Sequence, residues 1–196
     1  ATISNGIIMR DYIIDPDSLC LCGSGKKYRF CCQRMAKDVR ALKATLAPKA
    51  LADLEESESL QAKGMRCMDQ GQYEQAIIYF TKALEASRLI GIPANNLALC
   101  LFVTGKLEEA VQVQRQSLKD SPLPNPFGLA NLSMFLLCLG DEEGAAEAVS
   151  AATKLEAPNS YAVVKVCESL ARFKRHRDIL EVADASDFAS DPLVCF

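Results

Sequence analysis

Three glycines set a period along the chain. Gly71-Gln-Tyr-Glu-Gln-Ala76 aligns with Gly105-Lys-Leu-Glu-Glu-Ala110, 34 residues later. Gly140-Asp-Glu-Glu-Gly-Ala145 follows after a further 35 residues, with the extra one in the proline-rich stretch Pro122-Leu-Pro-Asn-Pro126. Other columns keep the same step. Gly64, Ala98 and Ser133 are small residues seven places before each glycine, and Ala83, Ser117 and Ala152 are small residues twelve places after it. An apolar stripe at helical spacing runs on both sides of each glycine. A glycine permits a tight turn between antiparallel helices, and small residues allow those helices to cross closely. One such pair cannot bury its own apolar face, so successive copies must stack. The expected fold is therefore all-α, an antiparallel helix-pair solenoid.

The pattern resembles the tetratricopeptide repeat. The resemblance rests on the 34-residue step and on Gly71, Tyr73, Ala76, Phe80 and Ala83 in the first copy. Three copies are expected, over about 57–90, 91–125 and 126–159. Residues 160–196 are expected to form a degenerate fourth repeat or C-terminal cap. There Lys174 replaces the turn glycine, and Ile179 replaces the small residue that follows it.

Upstream, residues 1–19 read as an N-terminal arm and 35–56 as a connecting helical region. Met35, Val39, Leu42 and Leu46 share one helical face, and Pro48 suits the first turn of a new helix. Between these lies a different kind of sequence. Cys20-Leu-Cys22-Gly-Ser-Gly-Lys-Lys-Tyr-Arg-Phe-Cys31-Cys32 offers four thiols as two close pairs. Tetrahedral zinc takes four soft ligands in this manner, and Gly23-Ser24-Gly25 frees the backbone to fold over a metal. Four thiolates on one Zn²⁺ leave a net charge of −2, which Lys26, Lys27, Arg29 and Arg34 are placed to offset. Such a site has no open ligand position and is structural. The alternatives are reduced thiols, a disulfide, which would be strained at the vicinal Cys31–Cys32 pair, and an iron–sulfur cluster, whose usual spacings differ.

The string also resembles the SEC-C motif, the small zinc-binding tail known from the bacterial preprotein translocase motor ATPase. Cys20, Cys22, Gly23, Ser24, Gly25, Lys26, Lys27, Tyr28, Cys31 and Cys32 match it, while Leu19, Leu21 and Phe30 depart from it. The resemblance spans about residues 17–34 and implies one structural Zn²⁺ in a small N-terminal knuckle (20–34) with an interaction surface. In the translocase, the motif binds a protein chaperone and is linked to ribosome contact.

The nine cysteines are an odd number, and no basic stretch followed by an apolar one opens the sequence. A reducing, cytoplasmic setting without a signal peptide is expected. No apolar run reaches the length of a membrane span. Residues 20–49 hold eight cations against Asp38 alone, a net +7, which leaves −10 for the rest of a chain of net charge −3. A basic head thus sits on an acidic body. The single His176 excludes paired-histidine chemistry, and phosphate-loop and nucleophile-elbow motifs are absent. An enzyme is not expected.

Register places Met65, Met68, Leu99, Phe102, Phe127, Met134, Leu137 and Tyr161 on the first-helix face, with Asn96 and Asn131 in one column. In peptide-binding tetratricopeptide proteins, asparagines in this setting hold the ligand backbone. The groove candidates are Asn96, Leu99, Phe102, Phe127, Asn131, Met134 and Tyr161, for a protein or peptide partner. Internal packing of the same residues, or filling by the N-terminal arm, is the competing reading. Cys67, Cys100, Cys138 and Cys167 are expected as small buried apolar residues. Two functions follow. The first is a non-enzymatic protein–protein interaction adaptor with the zinc knuckle as a second contact. The second is an RNA- or ribosome-associated factor anchored by the basic head, at Lys26, Lys27, Arg29 and Arg34.

Overall fold

Four helix-to-helix turns in this protein close with the same pair of backbone hydrogen bonds. In the first, Gly71 N–H donates to the Met68 carbonyl at 3.0 Å and Gln72 N–H to that of Cys67 at 2.9 Å. Gly105 and Lys106 repeat this at 3.1 and 2.8 Å, and Gly140 and Asp141 at 3.1 and 2.9 Å. This is the helix-ending arrangement that needs a left-handed residue. The three glycines supply it, with φ of 73°, 82° and 80°.

The fourth turn is closed by Lys174 and Arg175, at 3.0 and 3.1 Å, with Lys174 itself at φ 57°. A side chain in this region costs about 1 kcal/mol or more relative to glycine. The sequence loses its glycine here, yet the turn survives.

The computed structural model describes residues 27–30, 33–155, 157 and 160–186. A 3-10 turn over Tyr28–Phe30 precedes α1 (Gln33–Thr45), and α2 (Pro48–Asp69) starts on its proline. Then come α3 (Tyr73–Ala86), α4 (Ile92–Val103), α5 (Leu107–Asp120), α6 (Pro126–Cys138), α7 (Glu142–Ala152), α8 (Ser160–Arg172) and α9 (His176–Asp184). The described residues are all-helical, without a strand. The tight turns pair α2 with α3, α4 with α5, α6 with α7 and α8 with α9.

The first helices, α2, α4, α6 and α8, also touch one another in order. No comparable contact joins α3 to α5, α5 to α7 or α7 to α9 among the described residues. The first helices therefore line the inner side of the stack, and the second helices spread along its outer side.

The small-residue columns sit where the helices cross. Gly64, Ala98, Ser133, Ala83, Ser117 and Ala152 are all buried. Ser133 uses the crossing for a hydrogen bond as well, donating to the Ala145 carbonyl at 2.9 Å. Around them Phe80, Phe135, Leu101, Leu136 and Val111 build a core shared by the first three pairs. A second cluster of Ala130, Val149, Val166 and Leu170 fastens α8 to α6 and α7. The longer connection between α5 and α6 ends in a cap: the Asn125 side chain accepts from Gly128 N–H at 2.8 Å, ahead of Pro126 in the first turn of α6. No helix among the described residues is long and apolar enough to cross a membrane.

Candidate functional site

The inner surface is built from the ends of the first helices. Leu99 and Phe102 on α4, and Met134 and Leu137 on α6, are half-buried and lean on the shared core together with Met65 and Met68 of α2. The Phe102 ring stacks on the fully buried Phe135 with centroids 5.3 Å apart. Each of these side chains thus contributes to stability and presents only an edge to solvent. Val103, one residue further, is 56% exposed. Cys138, in the equivalent place on α6, is exposed as well.

This corrects the expectation that Cys138 is a buried apolar residue. It is the last residue of α6, beside the exposed Leu139 and Gly140 of the turn. Cys100 and Cys167 are buried and Cys67 is half-buried. Burial pushes the Cys100 thiol up to about 11. Burial, and secondarily the adjacent Glu168 charge, does the same for Cys167. These thiols are packing groups, not nucleophiles.

The two column asparagines behave differently. Asn96 is half-buried, and its Nδ2 donates to the Met65 sulfur at 3.1 Å. Asn131 is only 3% exposed, and its buried Nδ2 has no hydrogen-bond partner. Equivalent register therefore gives unequal access to the groove. Phe127 is half-buried at the start of α6. Tyr161 stands on α8, but its side chain lies outside the described part.

The residues surrounding Asn96 also line a half-open pocket of about 200 Å³ that the sequence did not reveal. Asp38 and Val39 of α1 form one wall, and Ile92, Asn96, Leu123 and Phe127 form others. Its polar lining includes Asn95 and Asn125. Asn95 Oδ1 accepts from the wholly buried Gln114 Nε2 at 2.8 Å and from Asn125 Nδ2 at 3.2 Å. The network leaves Gln114 Oε1 buried without a partner. The only available signal was the run of polar residues Asn95, Asn96 and Asn125 beside apolar neighbours. Nothing in their spacing places α1 against them. It arrives through Val39, Leu42 and Leu46, which pack with Leu54, Ile90, Ile92 and Leu123.

Cys20, Cys22, Cys31, Cys32 and Lys26 lie outside the described residues. Lys27 and Arg29 are exposed on either side of the buried Tyr28. Arg34 is on α1, with its side chain outside the described part. Among the described residues no group of three or more His, Cys, Asp or Glu side chains converges to hold a metal.

Residues 57–88 match the family model of the tetratricopeptide repeat. The match takes in the second half of α2 and all of α3, which is the first helix pair. The three pairs that follow close their turns as this one does. A search of curated proteins finds no match.

Proposed function

We propose that the protein is a non-enzymatic interaction adaptor whose helical stack takes up a peptide or helix of a protein partner on its inner face. Tetratricopeptide repeats generally serve partner binding, and the first pair matches that family. The observation that carries the reading is the exposed end of this face. Val103 and Cys138 are open to solvent, directly beside the half-buried Phe102 and Leu137. An apolar row of this kind gains by being covered, and a helix or extended segment fits it.

The test uses exposed positions, so that folding is spared. Val103→Asp and Cys138→Asp should keep the wild-type helical circular dichroism. Proteins recovered by affinity purification with the wild type should be lost with both variants. Recovery of the same proteins at undiminished yield by folded variants would sink the groove assignment.

The second contact is the N-terminal knuckle. Cys20, Cys22, Cys31 and Cys32 provide a donor set that saturates one tetrahedral Zn²⁺. When bound, that ion would supply a rigid crosslink and no chemistry. Lys26, Lys27, Arg29 and Arg34 would balance the thiolate charge and form the surface offered to a partner. The support for this is the identity and spacing of the donors and the SEC-C resemblance.

A further inference from the structure

The four turns share one backbone geometry but not one charge. Acidic residues open the second helix of the first three pairs: Glu74 in α3, Glu108 and Glu109 in α5, and Glu142 and Glu143 in α7. The fourth turn reads Arg172-Phe-Lys174-Arg175-His176-Arg177 before it reaches Asp178. Arg175 is taken up by Asp178 and by Ser150 Oγ. Arg172, Lys174 and His176 are exposed and make no ion pair among the described residues. Arg177 meets only the exposed Glu181, at 3.2 Å.

Arg172 also belongs to a row. The last residues of the four first helices are Asp69, Val103, Cys138 and Arg172. They are separated by 34, 35 and 34 residues, so they hold equivalent places. All four are exposed. Along the rim of the inner face the row runs acidic, apolar, apolar, basic. We infer that the rim receives a peptide of fixed direction. Its apolar residues cover Val103 and Cys138, and its acidic end is held by Arg172 and Lys174 at the α8–α9 turn. The inference rests on the groove reading above and adds the chemistry and orientation of the partner.

Helix electrostatics alone do not account for the cluster. Arg172 complements the carbonyl end of α8, as a cation there should. Lys174 is another matter, because glycine would form the same turn without strain, as it does three times. Arg175, His176 and Arg177 then stand at the amide end of α9, where Asp178 supplies the acidic residue such an end prefers and pairs with Arg175. The lysine in the left-handed place breaks a local preference at this turn, and such breaks gather at functional surfaces. Asp69, at the far end of the row, disfavours an acidic segment bound in reverse. The acidic turns beside the basic one disfavour a long polyanion, whose phosphates would meet them next.

The test is an array of synthetic 14-residue peptides probed with the full chain. All carry varied Leu, Met and Phe cores. One class ends in Asp/Glu, one in Lys/Arg and one in Ser/Gly. Polar peptides with acidic ends and a mixed-sequence RNA serve as further probes. Apolar peptides with acidic ends should bind best. Arg172→Glu/Lys174→Glu should weaken them about tenfold, and Val103→Asp should remove binding. Lys174→Gly should weaken binding severalfold while raising the melting temperature, opposite changes that a folding defect cannot produce. Equal binding of all apolar classes, or indifference to the Arg172/Lys174 variant, would overturn this inference and leave the groove reading standing. Binding of polar acidic peptides or RNA that is untouched by Val103→Asp would replace the row with a simple anion patch. No binding by any class would overturn both readings.

Discussion

Gly64 and Phe80 are in a contact that leaves no room for a methyl group. A Cβ on Gly64 would lie 2.6 Å from Phe80 Cε1 and 2.8 Å from Cδ1. Phe80 is fully buried between the helices of the first pair, so its ring has nowhere to go. Gly64→Ala should therefore destabilise the protein by about 1–3 kcal/mol, as overpacking does. Chemical denaturation checks this. Phe80→Leu alone should also destabilise, through lost burial, but the double variant should lose less than the sum of the two. Strict additivity would show that the two residues do not oppose each other.

Lys174 and Gly105 form a reciprocal pair of tests. Both hold the left-handed place in the same turn, with φ of 57° and 82°. Lys174→Gly should stabilise the last helix pair by about 1 kcal/mol, and Gly105→Ala should cost about as much. No atom lies within 4 Å of a Cβ built on Gly105, so any loss there is conformational, not steric. Hydrogen exchange resolved by segment would place the first gain in α8 and α9. An unchanged α8–α9 would mean that the lysine carries no strain.

Much of this architecture was legible because the repeat puts the same demand on the same column each time. Gly71, Gly105 and Gly140 announced the turns, and the small residues announced the crossings. The gap between Leu46 and Pro48 announced the break between α1 and α2. What escaped was of two kinds. Lys174 could be placed at the turn position of a degenerate fourth copy, but not seen to keep the glycine's backbone bonds and left-handed φ, because a side chain says little about backbone bonds it does not make. The pocket beside Asn96 joins Asp38 to Phe127, and no local periodicity encodes contacts across that distance. Cys138 shows the same limit: spacing put it on the right helix but did not reveal that it sits beside an exposed turn.

The described thiols should react in an order set by burial. Cys138 should be alkylated first under native conditions, with Cys67 slower, while Cys100 and Cys167 should wait for denaturant. Mass-spectrometric mapping of a labelling time course checks the order. Both buried thiols are raised from 9.0 to about 11. In the unfolded chain they ionise first, so the unfolded state binds fewer protons between those values and stability falls as pH rises from about 9 to about 11. Below pH 9 the contribution is fully present. Cys167→Ala should flatten the decline relative to the wild type, and parallel curves would remove Cys167 from the account.

The knuckle makes the last prediction, and metal stoichiometry decides it. Protein purified without added metal or a polyhistidine tag should carry about one zinc per chain, as a saturated four-thiolate site requires. Cys31→Ser removes one ligand and should release the metal or loosen it enough for a mild chelator to take it. The helical signal should hardly change, because the stack draws its core from Phe80, Phe135 and their neighbours and not from the head. Absence of zinc from a well-folded wild type would end the assignment and turn attention to a redox role for Cys20, Cys22, Cys31 and Cys32. With zinc present, a salt titration separates the two partner classes. Binding through Lys26, Lys27, Arg29 and Arg34 to a nucleic acid should fall roughly 50- to 150-fold between about 50 and 200 mM salt, as the neutralisation of about four phosphates requires. A loss of about a thousandfold or more would require further cations beyond these four. A shallow slope would leave the apolar inner face as the main contact.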